Sequence, residues 1–268
     1  MAEQLCVRAL REKVEALQDT PRLSKQVELG TEWIEVGLCT PDEAEAAEAF
    51  TQAEAQFERV TTQANAWSDM GIRAYRWLQY VPVFRMRRDK APARDIAAVA
   101  FRALGQSTGR LFSLLPDLKP DGELDRKHIG ILGENSVAAL LARAGYGPFP
   151  SSCREGATQD PELNSDFHLL ENGKVPLEVK FKKLGDHPGY DTNRILVIKY
   201  AEICRKIGEY NFNGHERPSI NKIAITIARG LVHEASGGRS TRFGNNLLQQ
   251  GSELVIGELV SWLEERRG

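Results

Sequence analysis

The chain predicts an α/β fold: an αβββαβ core, with a mixed sheet flanked by helices, preceded by an all-α N-terminal domain. Three observations carry that expectation. The first 115 residues are dominated by Ala, Glu, Gln, Leu and Arg, with apolar residues recurring at helical spacings. Residues 165–183 alternate apolar and charged on both sides of Asn172-Gly173, the pattern of two strands and a turn. Between these regions, residues 116–122 read Pro-Asp-Leu-Lys-Pro-Asp-Gly, punctuation typical of a linker. The division expected is 1–118 for the helical domain and 119–268 for the α/β domain.

With 268 residues, 41% of them hydrophobic, the chain can bury a substantial core. No apolar run approaches the roughly 20 residues of a membrane-spanning helix. Met1 to Cys6 lack the basic and apolar stretches of a secretory signal, so a cytoplasmic protein without membrane contact is expected. Cys6, Cys39, Cys153 and Cys204 stand too far apart for a zinc-site spacing and read as reduced thiols.

Net charge is −2, but it is segregated. Residues 1–60 hold six Lys and Arg against thirteen Asp and Glu, whereas residues 71–110 hold nine against two. An acidic start suits contact with a protein partner. The basic stretch suits either a nucleic-acid surface or a solvated helix face.

In order, Leu5, Leu10, Val14 and Leu17 mark a first helix, broken at Thr20-Pro21. Thr40-Pro41-Asp42-Glu43 reads as the start of another, with Thr40 as cap and Pro41 at the first helical position, running through Ala46, Phe50, Ala53 and Phe57 towards Val60. Trp67, Tyr75, Trp77, Tyr80 and Phe84 then lie among Arg73, Arg76, Arg85, Arg87 and Arg88. Such rings are more often helical core than a stacking platform, while Arg87 and Arg88 are candidates for phosphate contact. Pro92 opens a helix to about residue 115.

A helix over 125–143 closes at Gly145, and its Glu134 lies at the edge of the face that packs on the sheet. Glu134 needs a partner there, either a metal ion or an Arg or Lys from the N-terminal half. A short strand is expected over 151–154, the hairpin over 165–183, a helix over 197–210 and an isoleucine-rich strand over 219–228. The last helix, over 252–266, packs on the domain or makes a homodimer contact.

In the hairpin, Leu177, Val179 and Phe181 face one way while Glu178, Lys180 and Lys182 face the other. Pairing Glu171 with Val175 around a three-residue Asn172-Gly173-Lys174 loop sets Asp166 opposite Lys180 and His168 opposite Glu178. Two carboxylates and an amine on one face suit Mg²⁺ chemistry, since Mg²⁺ takes one or two carboxylates plus phosphate oxygens at about 2.0–2.1 Å.

An acid at Asp166 followed on the next strand by Glu178-Val179-Lys180 resembles the PD-(D/E)xK nuclease superfamily, the restriction-endonuclease-like fold. Ser165 stands where the motif's proline would be. The resemblance covers roughly 125–230. It implies a Mg²⁺- or Mn²⁺-dependent nuclease, an endonuclease acting on DNA in preference to RNA, with Asp166, Glu178 and Lys180 catalytic and Glu134, Asp166 and Glu178 around the metal. Arg154, Lys182, Lys183, Arg87 and Arg88 would then meet the nucleic-acid backbone. His168 reads as a satisfied core histidine in preference to a partner of a metal-binding carboxylate. The alternative is a catalytically silent nuclease-fold subunit that works by binding or assembly in a nucleic-acid-processing or defence complex.

Overall fold

The computed structural model describes residues 2–18, 22–64, 68–114, 126–151, 165–169, 175–181, 194–212, 218–239 and 241–266. Helices α1 (Ala2–Leu17), α2 (Leu23–Cys39), α3 (Glu43–Gln63), α4 (Asp69–Arg88) and α5 (Ala93–Leu114) form the N-terminal region. They are followed by α6 (Arg126–Arg143), β1 (Pro148–Pro150), β2 (Phe167–Leu169), β3 (Val175–Lys180), β4 (Leu196–Lys199), α7 (Tyr200–Asn211), α8 (Ile220–Ala235) and α9 (Arg242–Glu264). The protein is therefore mostly helical, with a small mixed sheet. None of these helices is long and apolar enough to cross a membrane.

Helix starts follow local chemistry. Asp42, not Thr40, caps α3, its carboxylate accepting from the Glu45 amide. Thr40 instead closes α2, its amide donating to Val36 O and its hydroxyl to Glu45. On α4, Trp77, Tyr80 and Phe84 are buried, as core residues should be, and Tyr75 is half-buried. Phe57, Trp77, Phe84 and Phe149 form a chain of rings with successive centroids 5.9, 5.7 and 5.3 Å apart. Each such contact adds roughly 0.5–1.5 kcal/mol beyond burial. Because Phe149 sits on β1, this chain ties the helical region to the sheet.

One continuous core runs from Val27 on α2 to Leu259 on α9. Helix α6 is its axis: residues 131–142 are all buried, packed by α5, α8, α9 and β3. Gly145 ends it at φ 98°, with the Tyr146 amide returning to Leu141 O. The linker expected at 116–122 lies outside the described residues, and the regions on either side of it share this core. Close approach is built into their contact, because a Cβ on Gly105 of α5 would collide with the Cβ of Ala235 on α8. Gly105→Ala is expected to destabilise the protein by about 1–3 kcal/mol in urea unfolding, although alanine is the better helix former. A gain in stability would contradict this close packing.

The sheet order is β1-β2-β3-β4, antiparallel except for the parallel β3–β4 pair. The prolines of β1 sit on an edge strand, where a missing amide is tolerated. Four sequence expectations are corrected here. The first strand lies at Pro148–Pro150, ahead of the expected 151–154, of which only Ser151 is among the described residues and stands outside the strand. The segment expected to be helical from 197 begins as β4, because Leu196, Val197 and Ile198 pair with Leu177, Glu178 and Val179 of β3. The expected strand over 219–228 is α8. Its alternating isoleucines disguise a helical recurrence of Ile223, Ala224, Ile227, Ala228 and Leu231, all buried, and Ser219 caps it by accepting from the Lys222 amide. Thus, among the described residues, the order after α6 is four strands and three helices.

The fourth correction concerns hairpin register. Leu169 pairs with Val175 and Phe167 with Leu177, a two-residue shift from the expected pairing. Continued by one residue, the register sets Asp166 opposite Glu178 and no longer opposite Lys180, while His168 stands opposite Pro176. A shift of two preserves every side chain's face, so the charged side survives. The Asn172-Gly173-Lys174 loop lies outside the described residues.

Candidate active site at the β2–β3 face

Asp166 is locked at the entrance to β2. Its amide donates to Leu177 O at 2.9 Å, and its Oδ2 accepts from the Val179 amide at 2.8 Å. On β3, Leu177 and Val179 fill the core, while Glu178 and Lys180 take the opposite side. That side is covered by protein as well, so Glu178 is only 4% exposed. Lys180, at the strand end, ion-pairs with Glu178 through Oε1.

Glu134 reaches the same neighbourhood from α6, where it is buried. Its Oε1 accepts from Arg73 Nη2 at 3.2 Å and its Oε2 from Arg76 Nη1 at 3.0 Å. Of the two partners considered for Glu134, the structure therefore shows the basic one, supplied by α4 of the N-terminal region. Arg76 Nη1 also reaches Asn135 Oδ1 at 3.1 Å, and Asn135 Nδ2 donates to Ser107 on α5. The Arg76 guanidinium lies 4.8 Å over the Phe167 ring.

Three acids and three bases thus share one cluster: Glu134, Asp166 and Glu178 with Arg73, Arg76 and Lys180. The acids are not equivalent. Burial alone would raise the Glu134 carboxyl, but Arg73 and Arg76 outweigh it and hold the group below its usual range. Asp166 goes the other way: burial first, then the charges of Glu134 and Glu178, push it well above the ordinary carboxylate range. The Val179 amide and Arg73 oppose that rise only in part. Asp166 is the crowded acid of the set.

No family model, curated protein or solved structure matches the chain. The site must be read from its own chemistry.

His168 is held by serines, with Nδ1 2.7 Å from Ser151 Oγ and Nε2 3.4 Å from Ser165 Oγ, and the two hydroxyls 2.9 Å apart. This agrees with the expectation of a satisfied histidine. Arg87 and Arg88, expected at phosphates, are engaged within the fold. Arg87 lies 5.1 Å over the Phe149 ring, and burial pulls its pKa down against the charge of Glu35. Arg88 Nη2 donates to Thr40 O and Asp42 O. Arg87 thus packs against β1, and Arg88 ties α4 to the α2–α3 corner. Arg154, Lys182 and Lys183 lie outside the described residues.

Among the described residues, no group of three His, Cys, Asp or Glu is gathered to hold a metal ion. The pair that faces across β2 and β3 is Asp166 and Glu178. Sequence reasoning did not identify Arg73 and Arg76 as Glu134's partners. The only signal was their spacing of three, which puts both on one side of a helix.

Proposed function

We propose that the protein is a divalent-metal-dependent nuclease of restriction-endonuclease-like architecture, hydrolysing phosphodiester bonds, with DNA the preferred substrate. The observation that carries this reading is the register that puts Asp166 opposite Glu178, with Lys180 two residues on along the same face. A mixed four-stranded sheet following a helix that carries Glu134 supports it further. The place of α8, where the sequence predicted a strand, is its departure from the expected core.

The donor set fits Mg²⁺ or Mn²⁺ in charge and type. Two hard oxygen ligands converge, and the negative crowding that raises Asp166 is what a cation relieves. Asp166 and Glu178 would hold the ion, and Glu134, engaged by two arginines, would support the site from behind. A divalent ion there supplies charge stabilisation to the phosphoryl oxygens and acidifies water. Lys180, at the open end of the face, orients the attacking water or neutralises the charge that develops on phosphorus. Its pairing with Glu178 keeps the ammonium within the cluster while no substrate is present.

The second reading, a catalytically silent subunit that binds or assembles, has its own observation. Glu134 and Glu178 already have basic partners within the fold, in Arg73, Arg76 and Lys180. The two readings separate in a cleavage assay on duplex DNA, single-stranded DNA and RNA with and without Mg²⁺ or Mn²⁺. Divalent-dependent cutting that falls roughly 10²- to 10⁴-fold in Lys180→Ala is expected. Absence of cutting in the wild type, or cutting indifferent to Lys180→Ala, rejects the nuclease mechanism.

A further inference from the structure

Arg73 and Arg76 project from one side of α4 towards Glu134, yet their surroundings differ. The Arg76 side chain is 2% exposed, its Nη1 is shared between Glu134 and Asn135, and its guanidinium is stacked on Phe167. Arg76 is an anchor and has no path to a substrate. The Arg73 side chain is 31% exposed and meets Glu134 at the longer distance of 3.2 Å. Its charge is also felt at Asp166, where it opposes the rise caused by burial and the other acids. Arg73 therefore stands at the solvent side of the acidic cluster, within electrostatic reach of the carboxylate that faces Glu178.

We propose that Arg73 is the phosphate-binding residue of this site, gripping a non-bridging oxygen of the phosphodiester beside Asp166 and Glu178. The inference rests on the nuclease reading for the identity of the anion. A guanidinium carries five N–H donors in a planar fork, so the pair with Glu134 and a contact to phosphate can coexist. Glu134 then acts as a positioning residue, holding the guanidinium through Nη2 as it meets the substrate. Lys180 and Arg73 come from different elements, one at the end of β3 and one on α4. The consequence is that the N-terminal helical region is not a separable docking module: it contributes a side chain that touches substrate, and residues 119–268 alone would lack it.

The test uses the full chain in a Lys180→Ala background, so that no substrate is cut, and measures binding of labelled duplex and single-stranded DNA across a salt series. Arg73→Ala is expected to weaken binding roughly tenfold. It should also make the slope of log K against log salt less negative by about 0.9 on duplex and about 0.7 on single strands. Arg73→Lys should restore the slope, because the charge returns, but only part of the affinity, because the fork does not. If Arg73→Ala lowers the Tm but leaves affinity and slope at the Lys180→Ala values, Arg73 is a structural ion-pair residue and the inference is wrong. Should Arg73→Ala fail to fold, Arg73→Gln, whose amide still bonds Glu134, carries the same comparison. Cleavage with Lys180 intact is scored alongside. Normal cutting by Arg73→Ala with unchanged KM overturns this inference and leaves the nuclease reading standing. A wild-type chain that cuts nothing, yet loses its salt slope on Arg73→Ala, supports the anion site and refutes the nuclease reading.

Discussion

Asp166→Asn is expected to lower divalent-dependent cleavage by at least roughly a hundredfold and, in the same protein, to raise folding stability at neutral pH. Loss of activity follows from removing one of the two carboxylates that would hold the ion. The stability gain follows from crowding. Asp166 is pushed well above its ordinary pKa by burial and by Glu134 and Glu178, so its ionised form is unfavourable in the folded state. An acid whose folded pKa exceeds its unfolded value binds more protons when folded, and stability therefore falls as pH rises from the unfolded value, about 3.9, towards the folded one. Asparagine is isosteric, carries no charge, and its side-chain oxygen still accepts from the Val179 amide. The gain should be on the order of 1–2 kcal/mol at pH 7–8 and shrink steadily as pH drops towards 4. Urea unfolding of wild type and Asp166→Asn across that pH range measures it. A variant less stable than wild type at pH 8 would show that the three acids do not repel one another as described.

Glu134→Ala is expected to have the largest effect on stability, a loss of about 3–5 kcal/mol, since it leaves the Arg76 guanidinium buried without its carboxylate. Arg76→Ala should cost a similar amount for the reciprocal reason. Arg73→Ala should cost far less, about 1 kcal/mol or below, because that arginine is partly solvated and its pair is screened. The pH dependence of the Glu134 pair has the opposite sign to that of Asp166. A carboxyl held below its usual range contributes stability that is fully present above its unfolded pKa and is lost as pH falls through the folded one. Urea midpoints of the three variants and of the Glu134→Ala/Arg76→Ala double variant give the coupling directly. A coupling near zero would mean that the contact between α4 and α6 contributes nothing beyond packing.

The parts of the fold that were legible in the sequence are those set by short-range periodicity. The alternation of Leu177, Glu178, Val179 and Lys180 sorts side chains by face whatever the loop length. The hairpin slipped by two residues from the expected pairing, yet Asp166 and Glu178 stayed together. Gly145 marked the end of α6 because a left-handed position after a helix favours glycine. The isoleucines of α8 were misleading for a related reason: a helix buried on a wide face shows apolar residues at both two- and four-residue intervals, and β-branched composition then tips the reading towards strand. Arg73 and Arg76 were legible as part of a basic, aromatic stretch, with a spacing of three that sets them on one helix face. Their partner is some sixty residues away on another helix, and no local pattern encodes a contact at that separation. The same holds for Arg87 and Arg88, whose contacts are with Phe149 and with the α2–α3 corner respectively.

The most direct test of the account is an Mn²⁺ titration of the full chain followed by electron paramagnetic resonance, comparing wild type with Asp166→Asn and Glu178→Gln. Bound Mn²⁺ is expected in the wild type and loss of that binding in each variant, with the fold retained. Mn²⁺ bound equally well by all three proteins, or by none of them, would contradict the claim that Asp166 and Glu178 form the metal-holding face of the sheet.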